Sequence, residues 1–226
     1  MRVKVLRRRD RSCEPAWESF SYDGPLDISV AGLLDYINFH DDIVNEEGKK
    51  TDRISWECSC LQGVCGSCAM VICGVPALAC ETFLRDLVRG HKEVTIEPLR
   101  KFPVIRDLMV DRSVIQENLK KANVYIEEYK PSEGGSHRQE YLAAKCLKCG
   151  LCLEVCPSYV NGSSFYGAIF ANDCYLVSSR NAEKGREVKK LYQGHFGNAC
   201  SKALSCMDVC PMNIPTIASM AKMNRG

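Results

Sequence analysis

The run CLKCGLCLEVCP occupies residues 146–157, and CSKALSCMDVCP occupies residues 200–211. In the first, Cys146, Cys149, Cys152 and Cys156 follow the spacing C-x2-C-x2-C-x3-C-P. In that pattern three thiolates hold one iron–sulfur cubane, and the fourth, before the proline, reaches across to a second cluster. The x2 spacing lets consecutive sulfurs point at neighbouring irons. The second run carries Cys200, Cys206 and Cys210 but has Ala203 at its middle position, and a methyl group cannot ligate iron. Reciprocal crossing then sets Cys210 with Cys146, Cys149 and Cys152, a four-thiolate [4Fe–4S] site. It sets Cys156 with Cys200 and Cys206, a three-thiolate [3Fe–4S] site.

Upstream, SCLQGVCGSC at 59–68 adds a third motif, Cys60-x4-Cys65-x2-Cys68, completed by Cys80 twelve residues further on. This is the spacing of plant-type [2Fe–2S] ligands. Three thiolates converging from one loop require a tight curl. Gly63 and Gly66 permit the dihedrals and bring backbone N–H groups near the sulfurs. Such hydrogen bonds stabilise the extra negative charge of a reduced cluster.

The chain has 226 residues and 15 cysteines, with 30 basic against 28 acidic residues and a formal charge of +2. Seven cysteines lie between Cys13 and Cys80 and eight between Cys146 and Cys210, with none between the two groups. Two domains follow, expected at residues 1–100 and 101–226. The first carries 13 Lys+Arg against 16 Asp+Glu and the second 17 against 12, so the basic surplus is confined to the second. The apolar segment at Cys68–Cys80 is far short of the roughly 18 residues of a membrane-spanning helix. The start, MRVKVLRRRDRSCEPAW, has no apolar core and does not read as a secretory signal. Without export, disulfides give no account of so many thiols, and metal does.

The first half reads as a strand around Val3 and Val5, a partner around Trp17, Phe20 and Tyr22, and a helix with Val30, Leu33, Leu34 and Ile37 on one face. Ser29 is the expected N-cap of that helix. Ala69–Ile72 and Pro76–Ala79 bracket a Cys73-Gly74 turn, and Val94 and Ile96 mark a last strand. A small mixed sheet crossed by one helix results. From Asp111 the pattern is helical, with segments near 163–180, 183–192 and 213–223 and a loop, PSEGGS, at 131–136.

Cys13, Cys58, Cys73 and Cys174 have no partner at ligand spacing and read as incidental or buried thiols. Arg7-Arg8-Arg9 reads as a solvated strand edge, with no aromatic or basic cluster to make a nucleic-acid arm. His40, His91, His137 and His195 lack neighbours at metal spacing. The competing reading of the cysteines is a pair of zinc ribbons in an interaction module, but zinc sites close on four ligands and have no use for triplets that cross between runs.

With FPVIRDLMVDRS at 102–113 between the plant-type loop and the crossing runs, the chain resembles the iron–sulfur subunit of the succinate dehydrogenase/fumarate reductase family. The resemblance covers nearly the whole chain and all eleven ligand positions. It implies an α+β architecture: an N-terminal β-grasp plant-type ferredoxin domain and a C-terminal all-α bacterial-ferredoxin-like domain. It further implies a relay of single electrons between the FAD of a catalytic flavoprotein subunit and a quinone at a membrane anchor that can carry heme b. Such a chain sits on the cytoplasmic side of the membrane through its complex. It belongs to an oxidoreductase but has no substrate site of its own, in keeping with the absence of any nucleotide fingerprint or nucleophile–base pair in the sequence. The family's first loop usually has Arg-Glu where this chain has Leu61-Gln62. Ubiquinone-linked members usually carry tryptophan soon after the position of Ser158, and histidine where this chain has Ser201; here both tryptophans lie in the first half. The resemblance therefore leans toward menaquinone and fumarate reduction. Pro157, Ser158 and Ser201 are the family positions nearest a quinone, with Lys202 adjacent. A thiol- or methylmenaquinol-linked fumarate reductase, or another flavoenzyme using the same relay, is the alternative.

Overall fold

The computed structural model describes residues 1–39, 42–90, 92–125 and 137–225. The expected loop at 131–136, His40 and His91 lie outside the described residues. The chain divides into two compact units, Met1–Asp111 and Arg112–Gly226.

In the first unit, β1 (Arg2–Arg7) pairs antiparallel with β2 (Ala16–Ser21) and parallel with β5 (Glu93–Glu97). β3 (Ala69–Ile72) pairs antiparallel with β5 and with β4 (Val75–Leu78), giving the order β2-β1-β5-β3-β4. Alternation explains which face is covered: Val3, Val5, Val94 and Ile96 are fully buried, while Lys4 and Thr95 between them are only partly so. Helix α1 (Val30–Phe39) covers that face with the expected stripe of Val30, Leu33, Leu34 and Ile37. Ser29 caps it, its Oγ accepting from the Gly32 N–H at 3.2 Å. The β3–β4 turn is Cys73-Gly74, with φ of +48° and +81°, the double left-handed pair that a two-residue hairpin favours. A 3-10 turn (Ala79–Glu81) and a short helix α2 (Leu84–Leu87) follow β4.

The hairpin β6 (Val104–Arg106) and β7 (Met109–Val110) belongs to the first unit, so the division falls after it rather than at residue 100. Its turn residue Asp107 is 1% exposed and accepts from the amides of Arg8 (3.0 Å) and Ser55 (2.9 Å). Arg7 completes this bolt, with its guanidinium on Asp107 and on Glu18 Oε2 at 2.7 Å. Here the expectation of a solvated edge fails. β1 is an inner strand, and the Arg7 side chain is only 13% exposed because two carboxylates hold it. Arg9 does reach solvent.

The second unit is helical: α3 (Ser113–Lys121), α4 (His137–Ala144), α5 (Leu151–Glu154), α6 (Gly167–Arg180), α7 (Ala182–Tyr192), α8 (Ser205–Asp208) and α9 (Thr216–Asn224). A π-helical turn, Gln193–Gly197, extends α7. α6 is buried on nearly every side from Gly167 to Tyr175, consistent with its apolar sequence, and packs against α4, α5, α7 and α9. It starts later than expected because Gly167 has φ +77° and lies so close to Leu153 that any Cβ there would overlap that side chain. Mixed sheet first and helices second make the chain α+β, as expected from its sequence. Among the described residues, no helix is long and apolar enough to cross a membrane.

Candidate metal centres

The first loop curls through three left-handed residues, Leu61 (φ +54°), Gly63 (+71°) and Gly66 (+79°). The curl turns amides toward sulfur. The Gln62 N–H donates to Cys60 Sγ at 3.4 Å, and the Gly63 N–H donates to Cys80 Sγ at 3.3 Å. Cys80 lies in the 3-10 turn after β4, where the Ala79 N–H donates to the Cys68 carbonyl at 3.1 Å and sets the Cys68 and Cys80 sulfurs 3.4 Å apart. The Ser67 hydroxyl beside Cys65 draws its thiol down to about 6, whereas burial, followed by the neighbouring Cys68, pushes Cys80 up to about 12. Two backbone clamps fix the approach to this loop. Asn38 exchanges two 2.8 Å hydrogen bonds with the backbone of Ile54, and Asp107 holds Ser55. Cys58, set aside by its spacing, is exposed, and its thiol is shifted up mainly by burial of the sulfur.

Gly63 is therefore the loop's most sensitive backbone position. Gly63→Ala would place a Cβ 2.7 Å from the Glu81 side chain and force a left-handed L-residue costing about 1–2 kcal/mol. The expected outcome is loss of the [2Fe–2S] signal in reduced-state EPR, with the signals of the second unit kept. Full occupancy would show that the curl is not needed.

In the second unit the two cysteine runs adopt the same backbone. Lys148 and Gly150 have φ of +52° and +90°, and Lys202 and Leu204 have +58° and +61°. A one-turn helix follows each, α5 from Leu151 and α8 from Ser205. Each loop directs the amide of its lysine at the first thiol: Lys202 N–H donates to Cys200 Sγ at 3.4 Å, and the Lys148 amide bonds Cys146. In this correspondence Ala203 stands where the first run has Cys149.

Thiols of both runs meet in one place: Cys146, Cys149, Cys152, Cys206 and Cys210 line one cavity beneath α6. Burial pushes the Cys152 thiol well up, and the Cys149, Cys146, Cys206 and Cys210 sulfurs add to the effect. Cys206 is pushed up to about 11 by burial, then by Cys156 and Cys200. Thiols crowded this way resist becoming thiolates together unless a cationic group binds them, and a ligated thiol is deprotonated outright. Among the described residues, no three Cys, His, Asp or Glu side chains converge closely enough for a single ion. All-thiolate donor sets are those that iron–sulfur clusters take. The donor set fits iron–sulfur clusters.

The quinone-proximal candidates are accessible: Pro157, Ser201 and Lys202 are exposed and Ser158 half-buried. Of the remaining thiols, Cys13 bonds Asp10, Cys73 occupies the hairpin turn and Cys174 is fully buried in α6. Two cations near the second unit's thiols were not found by spacing. Lys148 pairs with Asp173, which is buried on α6, and Arg112 Nη1 donates to the Cys149 carbonyl at 3.2 Å. The one available signal was an aspartate inside the apolar run AIFANDCYLV, which needs a partner when buried.

Residues 2–117 match the model for a 2Fe-2S iron-sulfur cluster binding domain, and residues 145–213 match that for a 4Fe-4S double cluster binding domain. The succinate dehydrogenase iron-sulfur subunit of Bacillus subtilis is 31% identical over 98% of this chain and 90% of its own length. The chain belongs to the succinate dehydrogenase/fumarate reductase iron–sulfur subunit family. Another member of that family, the fumarate reductase iron-sulfur subunit of Mycobacterium tuberculosis, is 36% identical over 86% of this chain and 79% of its own. The fold agrees. A chain of the Mycobacterium smegmatis Sdh1 complex in the apo form superposes with a TM-score of 0.74 over 98% of this chain and 92% of that one, at 22% identity. Membership in the family makes [2Fe–2S] and further iron–sulfur clusters the cofactors of this chain.

Proposed function

We propose that this chain is the electron-transfer subunit of a succinate dehydrogenase/fumarate reductase complex, relaying single electrons between the FAD of a flavoprotein subunit and a quinone at a membrane anchor. Its ligand sets are Cys60, Cys65, Cys68 and Cys80 for [2Fe–2S], Cys146, Cys149, Cys152 and Cys210 for [4Fe–4S], and Cys156, Cys200 and Cys206 for [3Fe–4S]. The observation that supports the reading is the repeated pair of left-handed loop residues with alanine at the place of Cys149, as one complete and one three-thiolate set would require. When bound, the clusters supply one-electron centres, which is what a two-electron flavin and a quinone need between them.

The residues of the chain do the rest. The amides of Gln62, Gly63 and Lys202 point at cysteine sulfurs and stabilise added negative charge there. Lys148 and Arg112 add positive charge beside the second unit's thiols. Pro157, Ser158, Ser201 and Lys202 would form the quinone-facing surface. With Ser201 after Cys200 and no tryptophan beyond Ser158, that surface favours menaquinone and fumarate reduction.

Affinity purification of the tagged chain from its membranes tests this. The expected result is co-purification of a flavoprotein and an anchor, possession of labile sulfide, and menaquinol:fumarate activity exceeding ubiquinone reduction by succinate. Tightly bound zinc without sulfide would overturn the relay. A clear preference for ubiquinone would overturn the direction, and a soluble complex with cysteine-rich partner segments would favour the thiol-linked alternative over a membrane anchor.

A further inference from the structure

Asp173 sits near the middle of α6, inside the apolar run AIFANDCYLV, and is 9% exposed. Among the described residues the cation that meets it is Lys148, whose ammonium contacts Asp173 Oδ2. Lys148 occupies the turn between Cys146 and Cys149, in a left-handed conformation with φ +52°. Lying two residues after one proposed ligand and directly before another, it is fixed beside the cluster site by the chain itself. The neighbour of Asp173 makes a second attachment. Asn172 lines the same cavity as Cys146, Cys149 and Cys152. Its Nδ2 donates to the Ala143 carbonyl at 2.8 Å, and that carbonyl also accepts from the Cys146 N–H at 3.3 Å. Consecutive residues of α6 thus hold the ligand loop at its start and at its turn.

Stability gives no account of this arrangement. A buried ion pair is often no better than apolar residues of the same volume, and the neighbours of Asp173 along α6 are mostly apolar. Its position does give one. An ammonium in the ligand turn favours the reduced cluster, which carries one more negative charge, and a carboxylate on that ammonium cancels part of its field. Burial pushes the Cys146 thiol up to about 11; of the two charges, Asp173 adds to that rise and Lys148 opposes it. We infer that Asp173 is a positioning residue that holds the Lys148 ammonium against α6 and offsets its charge, so that the centre of Cys146, Cys149, Cys152 and Cys210 is reduced at a lower potential than the lysine alone would set. The inference rests on the four-thiolate reading above. It makes the potential of that centre depend on a helix that carries none of its ligands.

Potentiometric EPR on the intact complex tests it. Asp173→Asn keeps the size of the side chain and leaves the ammonium uncompensated. It should move the four-iron midpoint about 59 mV positive, a tenfold gain in relative stability of the reduced form in a one-electron couple. The [2Fe–2S] midpoint should stay in place. Lys148→Met combined with Asp173→Asn removes both charges and should bring the midpoint back toward wild type, which loosening of the loop alone would not do. An unmoved or more negative midpoint in Asp173→Asn, or a positive shift that the double variant keeps, overturns the inference alone. If Asp173→Asn assembles no four-iron centre, its return in the double variant supports the inference and its continued absence overturns it. A wild-type complex with no four-iron signal overturns the ligand reading as well.

Discussion

Asp107→Ala is expected to destabilise the first unit by about 3–5 kcal/mol, the cost of stripping one partner from a buried ion pair. The carboxylate is 1% exposed and accepts from three donors on two distant segments, Arg7 Nη2, the Arg8 amide and the Ser55 amide, with Arg7 Nε in ion-pair contact at 3.0 Å. Alanine would leave the Arg7 guanidinium in place, 13% exposed and held only by Glu18 and the carbonyls of Asp52 and Arg53. It would also strip the acceptor from the Ser55 amide, five residues before Cys60, leaving Ser55 held here by its carbonyl's bond to the Leu108 N–H, so the loss should reach the cluster loop. Asp107→Asn separates charge from geometry, because asparagine tolerates the left-handed φ of +46° and keeps an acceptor. Its cost should fall between wild type and alanine. Urea unfolding followed through the visible absorption of the [2Fe–2S] site, alongside signals from the second unit, reads both variants. A change below about 1 kcal/mol for Asp107→Ala would show that the bolt is surface-like.

The first unit was largely legible in the sequence because its signals are local. Val3 and Val5, the α1 stripe and the Cys73-Gly74 turn each follow from spacing over a few residues. Arg7 was not, because its partners Glu18 and Asp107 lie 11 and 100 residues away, and three consecutive arginines look alike until one is buried. The same limit applied in the second unit. Cysteine spacing pointed to the crossing of the two runs, yet α5 and α8 are single turns of four residues, too short to leave a periodic pattern. The identical curl of the two loops was hidden as well. Gly150 announces a left-handed residue, but Leu204 at the matching place does not, since leucine adopts that conformation only under tertiary constraint. Lys148 and Asp173 matter through a contact between the ligand loop and α6, 25 residues apart, which no short window of sequence contains.

That hidden correspondence decides what Ala203→Cys should do. The substitution adds one sulfur at the place where the first run carries Cys149, between two residues that already hold the required left-handed dihedrals, φ +58° at Lys202 and +61° at Leu204. Ala203 is exposed, so no packed neighbour must move to admit the thiol. With the new thiol at position 203 joining Cys156, Cys200 and Cys206, the set becomes that of a cubane, and iron content should rise by about one atom per chain. The three-iron centre is paramagnetic when oxidised and a four-iron centre of the usual charge is not. The oxidised-state EPR signal should therefore disappear and a reduced-state signal appear. The added charge and ligand should also lower the potential at the quinone end of the relay, and quinone-linked turnover should fall at least about tenfold, since about 1.4 kcal/mol of potential difference suffices for that factor. Ala203→Ser is the control for the substitution itself: its hydroxyl is a poorer ligand than thiolate and should leave the three-iron signal in place. An unchanged oxidised signal in Ala203→Cys would mean that the matching backbone does not bring residue 203 to the cluster, and the three-thiolate assignment would fall with it.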